Sequence, residues 1–130
     1  MSITTARKLE PLHVDFQDGI TVQGYVAVQA QTGITALAGG GQTGATPLLG
    51  SFNIIGTCAT NGDSVILPAI PQDGSSVAVW VKNNGAANAA VFPQSGNTIN
   101  ALSANASLTV NAAAKQLFVS VSGSNWQSFV

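Results

Sequence analysis

The sequence predicts an all-β fold, a β-sandwich of jelly-roll type that carries an N-terminal arm or hairpin. Three observations predict it: apolar residues recur at every second position, turn dipeptides separate these runs, and no segment shows a convincing helical period. Alternation with a period of two is typical of half-buried strands. Many short strands with frequent turns favour a sandwich, a jelly roll or a barrel.

The alternating apolar residues define the candidate strands in chain order. They are Leu12, Val14 and Phe16; Val22, Val26 and Val28; Phe52, Ile54 and Cys58; Val77, Val79 and Val81; Leu117, Val119 and Val121; and the C-terminal Trp126, Phe129 and Val130. A further strand is expected around Ser107–Val110, where Leu108 and Val110 alternate. A short helical turn at Ala101–Ala104 is compatible with the sequence.

Turn dipeptides that tolerate a positive φ separate these candidate strands. They are Asp18-Gly19, Asn61-Gly62, Asp73-Gly74 and Asn84-Gly85. Asn84-Gly85 is the clearest hairpin signal, because a Val-rich run precedes it and Ala90-Val91-Phe92 follows. Pro68, Pro71 and Pro93 fall at strand ends, where a missing N–H is least harmful.

The chain is divided by a glycine-rich stretch around Gly39-Gly40-Gly41. Composition of this kind is typical of a flexible connector or an extended loop. The predicted organisation is an N-terminal arm or hairpin at residues 1–35, a connector at 36–45 and a β-sandwich body at 46–130. The total length suits one domain of ordinary size.

Charged residues make up 7% of the chain, against about 25% in typical soluble proteins. Five of the nine lie within the first 18 positions, namely Arg7, Lys8, Glu10, Asp15 and Asp18. The N-terminal segment is therefore either an arm that docks on another molecule or a solvated first hairpin. Because interface cores are depleted of charge, the neutral remainder favours a subunit whose surface contacts neighbours over an uncharged monomer.

The residues that enzymes need are scarce, and we expect no catalytic activity and no cofactor. His13 is the only histidine, and Asp63 and Asp73 both sit in turn dipeptides where Asp serves backbone geometry. Cys58 is alone and is expected to be a small core residue. One His, one Cys and scattered acids cannot build a zinc site.

Other function classes are also disfavoured. The net charge is −1 and Lys82 and Lys115 are the only cations after Lys8, so no nucleic-acid binding is expected. The segment Gly39–Gly44 lacks the Gly-Lys-Ser/Thr ending of a phosphate-binding loop. The first ten residues lack the apolar region of a signal peptide, and no apolar run approaches a membrane span.

Two aromatic residues are candidates for an oligomer interface, Tyr25 and Trp80. Trp80 alternates with Val79 and Val81 and is therefore expected to face away from them. Together with Trp126 these aromatics could instead form a sugar-binding platform, although use in a core or an interface is favoured.

A series of short motifs resembles a class of small phage and prophage structural proteins. The pieces, in chain order, are Gly40-Gly41-Gln42-Thr43-Gly44-Ala45-Thr46, Asn53-Ile54-Ile55, Gly62-Asp63-Ser64-Val65-Ile66-Leu67-Pro68, Val77–Gly85, Val91-Phe92-Pro93, Gly96-Asn97-Thr98-Ile99-Asn100, Phe118-Val119-Ser120 and Trp126. The resemblance covers about residues 36–130 and depends on the order of the pieces. It implies a virion component with no catalytic residues to carry over.

The resemblance and the neutral composition together lead to the expected function, a bacteriophage capsid decoration (cement) protein. Such a protein binds the exterior of the head shell, bridges major capsid proteins and is synthesised in the host cytoplasm. A homotrimer is expected ahead of a dimer. The docking arm is assigned to Arg7, Lys8, Leu9, Leu12, Val14 and Phe16. The alternative is a tail-fibre or receptor-binding module that recognises glycans.

Overall fold

The computed structural model describes Gly19 and residues 21–130, and in that part of the chain it contains ten β-strands and no helix. The strands are β1 (Ala30–Thr35), β2 (Thr46–Pro47), β3 (Phe52–Thr57), β4 (Ser64–Ile66), β5 (Ala78–Asn83), β6 (Ala89–Phe92), β7 (Thr98–Ile99), β8 (Leu108–Val110), β9 (Lys115–Ser122) and β10 (Asn125–Phe129). A larger sheet has the order β1-β3-β5-β9-β10-β7 and a smaller sheet the order β2-β4-β6-β8. The predicted all-β class is confirmed. None of the residues described forms a helix long and apolar enough to span a bilayer.

The first six strands alternate between the two sheets, and successive strands within each sheet pair in parallel. β1, β3 and β5 are parallel neighbours in the larger sheet, and β2, β4 and β6 are parallel neighbours in the smaller one. Each pass through both sheets is one coil, so these strands form a short β-solenoid. A jelly roll is built from antiparallel strands. The jelly-roll topology expected from the sequence is therefore not the one observed, because alternation with a period of two is the same for parallel and antiparallel strands.

The last four strands close the structure. β8 pairs antiparallel with β6 in the smaller sheet, and β9 pairs antiparallel with β5 in the larger one. β10 returns beside β9 as a hairpin, and β7 pairs with the far side of β10 in parallel. The mixed pairing places the C-terminal hairpin between the solenoid coils and the edge strand β7.

The core lies between the two sheets and consists of the inward residues of each coil. Its largest fully buried side chains are Trp126, Phe118, Leu48, Ile55, Leu67 and Ile99, with Val65, Val79, Val81, Val91 and Val110 beside them. Cys58 is also buried in this cluster, which confirms its expected role as a small core residue. Burial of this kind stabilises by roughly 25 cal/mol per Å² of apolar surface.

Two asparagines lie within the core and satisfy backbone groups at the ends of strands. Asn83 donates from Nδ2 to the carbonyls of Ala87 (2.8 Å) and Val110 (3.0 Å), and its Oδ1 accepts the N–H of Gly85 at 2.9 Å. Asn53 donates to the carbonyl of Gly50 at 2.8 Å and accepts the N–H of the same residue at 3.1 Å. Asn53 also donates to the carbonyl of Trp80 at 3.1 Å, which joins β3 to β5, and the bond from Asn83 to Val110 joins β5 to β8. Buried polar groups need such partners.

The edge strand β1 is irregular. Its pairing with β3 shifts register between Gln31 and Ile34 and again between Ile34 and Thr35. Gly33 lies within the first of these shifts and has a φ of +66°. Although residues 1–35 were assigned to an arm or hairpin, β1 is hydrogen-bonded into the larger sheet.

The glycine-rich segment 36–45 packs against the following coil. Ala36 donates its N–H to the carbonyl of Thr57, and Leu37 exchanges backbone hydrogen bonds with Ser64. The Gln42 side chain donates to the carbonyl of Pro93 at 2.7 Å. These contacts hold the segment assigned as a connector at several points along its length.

The Asn84-Gly85 dipeptide joins strands of different sheets, so the hairpin expected there is wrong. β5 belongs to the larger sheet and β6 to the smaller one. A Cβ atom on Gly85 would lie 2.5 Å from the Cβ and the N of Cys58. Glycine is needed here because two coils approach each other closely. In the sequence, a glycine required for close approach cannot be told from a glycine required for a turn.

Two further local expectations differ from the structure. Residues 21–29 form no strand, although Val22, Val26 and Val28 alternate. The short helical turn expected at Ala101–Ala104 is also absent, because no residue of this stretch is helical. A strand needs backbone hydrogen bonds to a partner strand, and residues 21–29 have no partner strand. The alternation of apolar residues is therefore not enough to make this segment a strand.

Candidate interaction surface

The outer face of the larger sheet carries a continuous row of large apolar side chains. Phe52 of β3 is in register with Trp80 of β5, Trp80 with Leu117 of β9, and Leu117 with Phe129 of β10. Phe52 and Phe129 are about half exposed, at 45% and 52%, and Trp80 and Leu117 are partly exposed. These four residues, here called the apolar row, run across four adjacent strands at right angles to them.

The alternation of each strand explains why the row faces outward. Val79 and Val81 point into the core, which leaves Trp80 on the opposite face as the sequence predicted. In β3 the inward residues are Asn53 and Ile55, so Phe52 and Ile54 face outward. Apolar residues occupy both faces of these strands, and only the outer set is available to another molecule.

The face is apolar at its centre and positively charged at one end. Next to the apolar row, Ile54 is in register with Lys82, and Lys82 with Lys115. A shallow depression of about 320 Å³ is lined by Phe52, Ile54 and Trp80 together with the two lysines. Apart from Asn53 and the two lysines, the residues that line it are apolar. Such a surface can bury apolar groups but offers few hydrogen bonds to a polar ligand.

A second exposed apolar region is the segment 21–29 that precedes β1. Val22, Tyr25, Val26 and Val28 are 44%, 89%, 66% and 53% exposed. Among the described residues the first hydrogen bonds of this region are at Gln29, whose carbonyl accepts the N–H groups of Ser51 and Phe52. Because the side chain of Tyr25 is almost fully exposed, the structure does not bring the two proposed interface residues, Tyr25 and Trp80, together within one chain.

The residues assigned to a capsid-docking arm lie outside the described part of the chain. They are Arg7, Lys8, Leu9, Leu12, Val14 and Phe16, and His13 lies among them. Their role stays a prediction.

Asp63 directly follows the Asn61-Gly62 dipeptide and holds this turn together, which fits the structural role predicted for it. Its carboxylate accepts the N–H of Gly39 (3.1 Å) on one oxygen and the N–H groups of Ala59 (3.1 Å) and Thr60 (3.0 Å) on the other. Hydrogen bonds from these backbone groups, that of Thr60 first, lower the pKa of Asp63 below its ordinary 3.8, although desolvation opposes them. The carboxylate is thus kept ionised, and both of its oxygens accept hydrogen bonds from the backbone.

We expect the stability of the protein to fall on acidification through Asp63. Because the folded-state pKa is depressed, the stabilisation is present above pH 3.8 and is lost as the pH falls through the lower, folded-state value. Asp63→Asn should be less stable than the wild type at neutral pH and should lose less on further acidification. Urea denaturation between about pH 6 and pH 2 measures both effects.

The control for this experiment is Asp73→Asn, which changes an exposed acid in another turn. It should retain the acid-dependent loss seen in the wild type. If the free energy of unfolding depended on pH in the same way in the wild type and in Asp63→Asn, the acid-dependent loss of stability could not be assigned to Asp63.

The other candidate chemical groups are also used by the fold. Burial, and secondarily the charge of Asp63, raises the pKa of the Cys58 thiol, so little reactive thiolate forms at neutral pH. In the glycine-rich segment Gly39 already donates its N–H to Asp63, and the Gly41 carbonyl accepts the Ser64 hydroxyl at 2.7 Å. Within the part of the chain described, no three His, Cys, Asp or Glu residues come together to hold a metal ion.

Sequence reasoning identified Trp80 but missed the other three members of the apolar row. The available signal was the alternation itself, which groups Phe52 with Ile54 and Leu117 with Val119. It could not show which set faces outward, nor that Phe52, Trp80, Leu117 and Phe129 share one register. Comparisons with protein-family models, with curated proteins and with solved structures found no match, so the resemblance to phage structural proteins stands on the motifs alone.

Proposed function

We propose that the protein is a bacteriophage capsid decoration protein that binds the exterior of the head shell and bridges major capsid proteins. The observation that carries the proposal is the near absence of charge on a surface with a continuous apolar row. Among the described residues only Asp73, Lys82 and Lys115 are charged and exposed. A surface of this kind is poorly protected against association and suits a subunit that is covered in its working state.

The mechanical role follows from repetition over a lattice. Packaged DNA pushes the shell outward, and a bridging subunit adds contact area that must be separated before the shell opens. Apolar contact is worth about 25 cal/mol per Å², although the cost of association offsets much of it. Attachment through several subunits of one oligomer slows dissociation, which is the reason for proposing a homotrimer ahead of a dimer.

The docking arm remains assigned to residues 1–18. This segment combines the cations Arg7 and Lys8 with the apolar Leu9, Leu12, Val14 and Phe16. Charged residues at the rim of an apolar contact set the rate and register of docking more than its affinity. A strong arm contact therefore requires the apolar residues to be buried on the shell.

Removal of residues 2–18 is expected to abolish binding to the head shell and to leave the body folded. The measurement is the occupancy of purified shells by the truncated protein, determined by sedimentation and electron microscopy. Tryptophan emission, to which the buried Trp126 and the partly exposed Trp80 both contribute, reports whether the body is still folded. The control is full-length Thr109→Asp, which alters an exposed residue on the outer face of the smaller sheet and should bind normally.

Two results would count against the proposal at different levels. Unchanged occupancy by the truncated protein would refute the arm assignment. Electron microscopy of the source virion that places the protein on the tail, and not on the head lattice, would refute the decoration function.

A tail-fibre or receptor-binding module is the second candidate, because Phe52 and Trp80 place two aromatic rings side by side on an exposed face. Sugars stack on such rings, but they also require hydrogen-bonding groups. The lining of the depression is apolar apart from Asn53, Lys82 and Lys115, so it supplies few such groups and favours a protein contact. Binding to a glycan array that is lost in Trp80→Ala would support the second candidate.

A further inference from the structure

We propose that the segment 21–29 of one copy covers the apolar row of a second copy. The two surfaces are matched in chemistry, since both present apolar side chains that are at least partly exposed, and neither the segment nor the four residues of the row include a charged residue. The charges nearest to the row are those of Lys82 and Lys115 at one end of the face. The segment carries Val22, Tyr25, Val26 and Val28, and its sequence from Thr21 to Gln29 contains no ionisable group other than the Tyr25 phenol. This inference concerns contacts between copies and does not depend on binding to a shell.

The length of the segment fits this occupant. The segment bends at Gln23 and Gly24, and the five residues beyond the bend, 25–29, span about 17 Å when extended at roughly 3.3 Å each. The apolar row crosses four strands from β3 to β10, and strands lie about 4.8 Å apart, which gives a width of about 14 Å. The segment is therefore long enough to cross the whole row.

The starting point of the segment also fits. Ala30, the first residue of β1, is in register with Phe52 at the end of the apolar row. The carbonyl of Gln29 accepts the N–H of Ser51 at 2.9 Å, which holds the chain in line with β1 as it leaves the sheet.

When the segment of one copy covers the apolar row of another, a single contact buries two exposed apolar surfaces. Within a single chain Val26 and Tyr25 stay exposed while Phe52 and Phe129 stay half exposed. Reciprocal exchange between two copies, or exchange around a closed ring, buries both sets and leaves none unmatched. It also brings Tyr25 of one copy to Trp80 of the next, which unites the two residues singled out as an oligomer interface.

The first test measures the mass of the full-length protein by light scattering. We expect a closed oligomer of the 13.1 kDa chain. Val26→Asp should shift the mass to that of the monomer, because a carboxylate cannot be buried against the apolar row without a partner. Thr109→Asp, on the opposite face of the molecule, should keep the wild-type mass.

The second test uses disulfide cross-linking between two differently tagged full-length variants. A Tyr25→Cys chain mixed with a Trp80→Cys chain should give a mixed cross-linked species on a non-reducing gel. Tyr25→Cys mixed with Thr109→Cys should give little or none. The native Cys58 is buried and should contribute no background.

Three results would overturn the proposal. One is a monomeric wild type, and another is an oligomer that Val26→Asp leaves unchanged. The third is a chain with both Tyr25→Cys and Trp80→Cys that closes only an intramolecular disulfide, since the segment would then cover its own face. A monomeric wild type would also contradict the proposed homotrimer. Occupancy of the head shell is measured separately, so failure of this contact between copies and failure of the decoration function remain distinguishable.

Discussion

Replacement of Trp126 by alanine is expected to lower the free energy of unfolding by about 3–5 kcal/mol. Trp126 is the largest fully buried side chain and has no exposed surface. It lies on β10, opposite Ser120 of β9 and Ile99 of β7, so its removal opens a cavity where the C-terminal strands meet the core. A domain of this size has a total stability of roughly 5–15 kcal/mol, and the variant should therefore be close to unfolding.

The conservative variant Trp126→Phe separates packing from hydrogen bonding. The indole Nε1 of Trp126 is buried and finds no acceptor among the described residues. An unpaired buried donor destabilises a protein by about 1–3 kcal/mol, and phenylalanine removes that group together with some volume. We expect the two effects to offset each other in part, so that Trp126→Phe costs much less than Trp126→Ala.

Urea denaturation followed by circular dichroism measures these differences. The matched control is Phe129→Ala on the same strand, whose side chain is 52% exposed on the outer face. Phe129→Ala should lower the free energy of unfolding far less than Trp126→Ala does. Equal losses for the two alanine variants would show that the tryptophan side chain is not the centre of the C-terminal core.

Replacement of Gly40 by alanine is expected to lower the free energy of unfolding by about 2–5 kcal/mol. Gly40 has a φ of +71°, a conformation that costs an L-residue about 1–2 kcal/mol. A Cβ atom at this position would also overlap the carbonyl oxygen of Gly62 in the next turn. Relieving such an overlap by backbone movement typically costs another 1–3 kcal/mol or so.

Gly39→Ala is the matched control for this variant. Gly39 has a φ of +84°, but a Cβ atom there would meet nothing within 4 Å. The two variants therefore share the backbone strain and differ in the overlap, and the difference in their unfolding midpoints in urea measures the overlap alone. Equal midpoints would mean that segment 36–45 moves freely, as the connector interpretation of the sequence implies.

The sequence predicts the strands of this protein better than their arrangement. Val79 and Val81 inside and Trp80 outside were predictable, because the pleat of a strand fixes that alternation. The parallel coils were not, because Ala30 and Phe52 are separated by a shorter stretch of chain than Phe52 and Trp80. Unequal coils leave no fixed repeat in the sequence from which a solenoid could be recognised.

The candidate surface was predictable only in part for a related reason. The outward position of Trp80 follows from its own strand. The alignment of Phe52, Leu117 and Phe129 beside it depends on the register between strands that are far apart in sequence. Similarly, Gly85 was taken as a hairpin residue, whereas its role is a close approach to Cys58 that no local pattern reveals.

The irregular pairing of β1 has a consequence for how large an assembly of this protein can grow. A flat terminal strand without charges is a template on which further chains add, and stacking of coils end to end would produce fibres. The two register shifts around Gly33 distort that template. An incoming strand would find the hydrogen-bonding groups of β1 out of step, so end-to-end growth at this edge of the larger sheet is disfavoured.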